Sequence, residues 1–422
     1  MDNSDFSKKK KKRSTSSQLH SKRHSNARHR LRPNPGPTNH LHRSKNRTTQ
    51  FDALRKELTE KLGLPSDCRL YFMKKYDMDK LPDTPRLKIT HHNCVILDAE
   101  TWKVLQVIRF TPFSEMSDEQ MKQMNFTIKT IYNHALARST VKINHAMKGI
   151  KEPGEMYATG YRGASDKGRK FGVTALSAKT SKSLEAISKD EARMDDMAVI
   201  NDTLAEWMST LCMRAFQSNR DLALDFSIPS FSDKKWAESP NANVIASSIA
   251  VTRDGFNNNP HPDFDATPYA YGLFSRINRA TGELHWVKIS EYLGDIEGCY
   301  FILDQYHIEL CLDACDGVVE CCWASDELHH TLASTTYDEG WCPIRPKDSP
   351  ITRFGCSLQI SAALVKRIEG LLKMKEGKTD VEWETYQRSV IKCYDQEIEN
   401  KSSKFHDPNR LQIPKKTTRT RK

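Results

Sequence analysis

The sequence predicts an α+β chain built on a jelly-roll-like antiparallel barrel with flanking helices. Short runs rich in β-branched and aromatic residues recur between Val244 and Ser361, separated by turns containing Gly294, Gly298, Asp304, Asp313 or Gly317. That density of strands and turns is what an all-antiparallel barrel requires. Longer stretches of helical periodicity lie before and after it. Within the strand-rich region a His-x-Asp pair, a distant histidine and a later arginine follow one another in order.

The chain divides by composition. Residues 1–50 hold 14 Lys/Arg against two Asp, with almost nothing apolar to bury, and read as a disordered basic tail. Its Lys8-Lys9-Lys10-Lys11-Lys12-Arg13 cluster suits nuclear import, and adjacent cations gain affinity for DNA by releasing its counterions. A plain solubilising tail is the rival reading. Residues 51–150 read as an N-terminal α/β extension packed on the core. In it Phe51–Leu62 is helical and stopped by Gly63, Cys94–Asp98 and Val104–Phe110 are strands joined by a polar turn at Glu100, and Met116–Ala137 is helical again.

Residues 151–400 read as the main domain with C-terminal support helices. Tyr157–Gly163 with Asp166–Gly172 is rich in glycine and cations, so it reads as a rim loop in which Arg162 can meet phosphate, or as an ordinary basic surface loop. Asp190–Gln217 has the spacing of one long supporting helix. Val244–Val251 is a buried strand, and Arg253–Pro260 is a polar turn leading into His261. Further strands are expected at Gly282–Val287, Cys299–Leu303, Ile308–Cys311, Gly317–Trp323 and Arg353–Ser361, then helices at Ala362–Lys375 and Asp380–Ile398. Residues 401–422 form a second basic tail, with eight Lys/Arg against one Asp. Since the whole chain carries +11, the span between the tails is left mildly acidic.

Eleven cysteines without a short-loop framework, no apolar N-terminal run and no 18-residue apolar segment argue against a disulfide scaffold, a secretory leader and a membrane span. A soluble, intracellular monomer is expected.

The chemistry lies in His261-Pro262-Asp263, His329 and Arg353. Residues i and i+2 of an extended chain point the same way, so His261 and Asp263 can reach one metal. His329, 66 residues after Asp263, is the expected third ligand, with the adjacent His330 as the runner-up. Two imidazoles and one carboxylate make the facial triad of a non-haem iron(II), which leaves the opposite face open for a bidentate co-substrate and dioxygen. Arg353, 24 residues after His329, suits a two-pronged grip on the far carboxylate of a 2-oxo acid. Cys311, Cys315, Cys321 and Cys322 with the paired histidines invite a zinc reading, but neighbouring strand residues face opposite sides.

Val318-Val319-Glu320-Cys321-Cys322-Trp323, Glu327-Leu328-His329, Thr352-Arg353 and the Phe256–Asp263 segment together resemble the ten-eleven-translocation (TET) and J-binding-protein family of DNA oxygenases, in particular its short fungal members. The resemblance implies a double-stranded β-helix (jelly-roll, cupin-like) and dependence on Fe(II), 2-oxoglutarate and O2. It also implies oxidation of 5-methylcytosine to 5-hydroxymethylcytosine, with 5-formyl- and 5-carboxylcytosine beyond it. The partner is then double-stranded DNA carrying methylated bases, and the compartment is the nucleus. Asn258 and Asn259 are candidates for substrate contact or for service in the turn, and Tyr269 and Tyr271 for stacking on a flipped base or for filling a sheet face. N6-methyladenine demethylation, alone or alongside methylcytosine oxidation, is the alternative activity. A non-enzymatic chromatin-binding protein is the alternative class.

Overall fold

A computed structural model describes residues 45–62, 68–142, 153–163, 168–286 and 294–405. Residues 1–44 and 406–422 of the expected basic tails, Gly63, residues 164–167 of the expected rim loop and Val287 lie outside the described residues. The chain separates into a small unit, Met1–Phe51, and a large one, Asp52–Lys422. Of the first, only the start of a helix running Lys45–Leu62 is described.

The strands, in chain order, are β1 (Arg69–Met73), β2 (Leu87–Ile89), β3 (Cys94–Asp98), β4 (Val104–Pro112), β5 (Glu155–Gly163), β6 (Phe171–Val173), β7 (Ser248–Arg253), β8 (Tyr269–Asn278) and β9 (Asp295–Glu297). They continue with β10 (Tyr300–Leu303), β11 (Ile308–Cys311), β12 (Gly317–Ala324), β13 (His330–Thr331), β14 (Thr335–Tyr337), β15 (Pro343–Ile344), β16 (Ile351–Gln359) and β17 (Ile391–Lys392). A ten-stranded sheet has the order β1-β3-β4-β12-β8-β16-β7-β5-β6-β17, a four-stranded sheet β13-β10-β11-β2, and a three-stranded sheet β15-β14-β9. The fold is mixed α+β. The strands between Val244 and Ser361 pair with one another only in antiparallel fashion among the described residues, and the parallel pairs, β1 with β3, β11 with β2 and β17 with β6, bring in strands from outside that span.

Alternation along the strands of the large sheet separates two apolar cores. On one face Tyr271, Leu273, Phe354 and Leu358 pack against the helices Asp118–Leu136, Leu184–Leu211 and Ala362–Leu372. On the other, Ala270, Phe274, Trp323 and Ile351 pack against Phe301, Leu303, Ile308 and Leu310 of the four-stranded sheet. Strands of the N-terminal segment enter both sheets: β4 pairs with β12 in the large sheet and β2 with β11 in the small one.

Several elements differ from expectation for tertiary reasons. Tyr157–Gly163 is not a loop but most of β5, which pairs with β7. Gly282–Val287 is not a strand where it is described. Leu284 makes a single bridge to Ile277, and its N–H is taken by the Asn125 side chain. The long helix breaks at Cys212 into Leu184–Leu211 and Met213–Asp225. The second piece thereby presents Asn219, which donates to the carbonyls of Ile245 and Tyr269. The last helix breaks into Asp380–Val390 and Tyr394–Ser402, since Ile391 and Lys392 pair with β6 instead. Arg169 holds this break, its Nη1 donating to the carbonyls of Arg388, Ser389 and Ile391 at 2.9 Å each. One cation expected to face phosphate therefore satisfies a helix end.

Candidate metal centre

His261 and His329 lie opposite one another in a closed antiparallel pair, each N–H donating to the other's carbonyl at 3.1 Å. Directly opposed residues of such a pair send their side chains to the same face. The ring centroids are 5.1 Å apart. Asp263, two residues on, points the same way, and its own N–H is anchored on Ser325 O at 2.7 Å. One ligand atom from each of His261, Asp263 and His329 lies within 4.8 Å of the other two, and this is the only such group of potential metal ligands among the described residues. The cysteines near β11 and β12 join no comparable group, and all eleven are free thiols.

The tautomers are set by the backbone. Nδ1 of His261 is 2.9 Å from Asn259 O, and Nδ1 of His329 is 2.9 Å from Glu327 O. A carbonyl can only accept, so both Nδ1 atoms carry the proton and Nε2 is the nitrogen each ring offers to a metal. His329 Nε2 is 3.5 Å from Asp263 Oδ2, and that oxygen accepts from Trp323 Nε1 at 3.2 Å. Phe301 stacks on His329 at 5.3 Å with planes 10° apart, and Trp323 closes another side. The arrangement is a 2-His-1-carboxylate triad with an apolar back wall.

His330 faces the other way. Its Nδ1 is 2.9 Å from Asp304 Oδ2, and Asp304 is bonded in turn by Arg86. This is the consequence of strand alternation that set His329 apart from its neighbour in the sequence.

Arg353 lies on β16 and shares a face with Ile351, which packs in the core on the triad's side of the large sheet. It is 4% exposed. Its Nη2 donates to Phe256 O at 3.1 Å, while the buried Nη1 has no partner among the described residues. A guanidinium donor left unsatisfied at that depth needs an acceptor, and a carboxylate supplies one. The residues present therefore fit both a divalent iron and a dicarboxylate co-substrate.

The remaining candidates divide. Asn258 ties the approach to His261 onto β13, its Oδ1 accepting from Thr331 N and its N–H donating to Thr331 O. Asn259 contributes the carbonyl that orients His261. Arg162 is exposed on β5, opposite Gly172, with two strands between its own and β8. Tyr269 and Tyr271 are corrected: alternation turns both to the helix-covered face, and Tyr271, fully buried, donates to Glu320 Oε1 at 2.7 Å. Phe264, between Asp263 and Asp265, is instead an exposed aromatic next to a ligand in the chain, at 78%. Burial, with the Asp263 charge second, pushes the Asp265 carboxyl up to about 8. Phe301 and the lysines around Glu327 carry no motif, and Trp323, though it ends the Val318–Trp323 motif, was given no role at the metal; only the fold brings them to the site.

Residues 120–334 match the family model described as the Tet-like 2OG-Fe(II) oxygenase superfamily, a span that contains all three ligands and ends before Arg353. No curated protein matches the chain.

Proposed function

The chain belongs to the Tet-like 2OG-Fe(II) oxygenase superfamily, and is on that ground an Fe(II)- and 2-oxoglutarate-dependent enzyme; from this premise we propose that it oxidises the methyl group of 5-methylcytosine in DNA. The observation that carries the reading is the compact His261, Asp263 and His329 triad inside the matched span. When bound, iron with 2-oxoglutarate and O2 supplies the oxidation: one oxygen atom goes to the substrate carbon and the other to succinate, with loss of CO2.

The protein's part is orientation. Arg353, through its unpartnered Nη1, holds the far carboxylate of 2-oxoglutarate. Phe301 and Trp323 keep water from the ring of His329. Phe264 offers a flipped base the stacking surface that Tyr269 and Tyr271 do not. Arg162 and the basic tails meet phosphates, which set position without reading sequence, and the tails direct the protein to the nucleus. In this reading the two sheets that enclose the triad are the two halves of a double-stranded β-helix core.

The test is incubation of the full chain with matched oligonucleotides carrying 5-methylcytosine, N6-methyladenine or neither, followed by nucleoside mass spectrometry. Hydroxymethylcytosine is expected. Oxidised adenine alone moves the activity to methyladenine, and no oxidised nucleoside despite succinate release removes DNA as the substrate.

A further inference from the structure

Glu327 stands two residues before the ligand His329, and its two ends do different work. Its backbone carbonyl accepts the Nδ1–H of His329 at 2.9 Å. Its side chain, 6% exposed, receives Lys75 Nζ on Oε2 and Lys103 Nζ on Oε1, both at 2.7 Å. Lys103 also bridges to the two oxygens of Asp326 at 2.7 and 2.8 Å. Lys75 follows β1 and Lys103 precedes β4, so both flank strands that lie ahead of the span that matches the family.

These strands are themselves held. The Asp98 side chain accepts from the N–H groups of Glu100 and Thr101, which shapes the β3–β4 turn, and from the Tyr306 hydroxyl at 3.1 Å. Asp98 N donates to Lys103 O, and Lys75 Nζ sits 5.6 Å over the ring of Tyr306. The segment from Ser325 to His329 joins β12 to β13 without belonging to either strand; its backbone is tied at Ser325 N to Pro268 O, at Glu327 N to Ala324 O and at His329 to His261, which leaves the Glu327 carbonyl to His329 Nδ1. A carbonyl in such a connection turns with its peptide unit unless something pins it.

We propose that Lys75 and Lys103 are positioning residues of the metal centre: by clamping the Glu327 side chain they fix its carbonyl, and through it the tautomer and orientation of His329. The proposal rests on the metal reading but not on the identity of the substrate. A merely structural role predicts something different. The lysine side chains are 46% and 33% exposed but the Glu327 side chain is only 6% exposed, so a structural role predicts a lower melting temperature when the lysines go, with iron affinity and band unchanged in the folded protein. An outer partner of a metal-binding histidine, however, typically matters about 10- to 100-fold in metal affinity.

The experiment is an anaerobic titration of Fe(II), then 2-oxoglutarate, into the full chain and into Lys75→Met, Lys103→Met, the double variant and Lys103→Arg. It reads iron affinity, the visible absorption band of the iron chelate and the melting temperature. The double variant is expected to bind iron about 10-fold more weakly with a displaced band, and Lys103→Arg to stay near wild type. If the double variant does not fold, Lys75→Met alone, whose side chain is nearly half exposed, decides the matter with an expected loss of about 3-fold. Wild-type iron affinity and band in the Met variants, with or without a lower melting temperature, overturn the proposal. A wild-type protein that takes up no iron overturns the metal reading and this proposal with it.

Discussion

Two clusters in this protein are made of nearly the same residue types and are wired in opposite ways. Around Asp190, His134 Nδ1 and Arg138 Nη1 converge on Oδ1 at 2.9 and 2.5 Å, and the Tyr394 hydroxyl donates to Oδ2 at 2.8 Å. Around Asp263, the histidines turn their Nδ1 atoms to backbone carbonyls instead of to the carboxylate, and Arg353, on the triad's side of the large sheet, keeps one donor without a partner among the described residues. The first cluster joins three helical segments and turns its histidine onto the carboxylate; Arg138 Nε, like Arg353 Nη1, is a buried donor without a partner among the described residues, so the aim of the histidine nitrogens is what separates the two. The second is held from behind and leaves its coordinating atoms facing one another. Composition does not distinguish a structural charge cluster from a functional one, whereas the direction of the hydrogen bonds does.

The comparison breaks most sharply at the ligands. His329→Ala is expected to abolish iron retention and turnover, a loss above the roughly 100-fold upper range of an outer partner, while His330→Ala keeps both. Iron content and succinate release measure this, and the reverse result would transfer the ligand role to His330.

Asp190→Asn should act on stability alone. Removing one partner of a buried ion pair costs about 3–5 kcal/mol, so denaturant unfolding should move by that amount while iron affinity per folded molecule stays unchanged. A loss of iron affinity in the folded variant would show that the two clusters are coupled.

Arg353→Met should weaken 2-oxoglutarate by about 2–5 kcal/mol, the cost of truncating one side of a desolvated charge pair, with iron binding intact. An unaltered Michaelis constant for 2-oxoglutarate would free the arginine from that role.

The smallest effect concerns pH. Burial, and then the Arg138 charge, lower His134 to about 4 against the bonding of Asp190, with Arg193 adding to the lowering. For Asp190, burial works to raise the carboxyl, but the Arg138 charge and the bonds from His134 and Arg138 outweigh it and hold it low. A group depressed in the fold contributes stability above its unfolded pKa, and that contribution is lost as pH falls toward the folded value. Stability should therefore decline between about pH 6.5 and 4, by up to about 3 kcal/mol. His134→Gln should flatten that slope in unfolding curves taken across the window.

Local patterns determined much of this protein. The helices at residues 118–136 and 362–372, and β3, β4, β11, β12 and β16, lie close to where periodicity and β-branched residues put them, since the 3.6- and 2-residue periods are properties of the chain itself. The i, i+2 spacing of His261 and Asp263, and the opposite facing of His329 and His330, were legible for the same reason. Tertiary structure alone decided which cluster stays open. The face taken by Tyr269 and Tyr271 was set by which side of the sheet the helices cover, and the breaks at Cys212 and Ile391 by Asn219 and Arg169 reaching distant carbonyls. The clamp on Glu327 joins residues more than 220 positions apart. No local pattern encodes such a pairing, because its partners meet only when the N-terminal strands close the sheets around the triad.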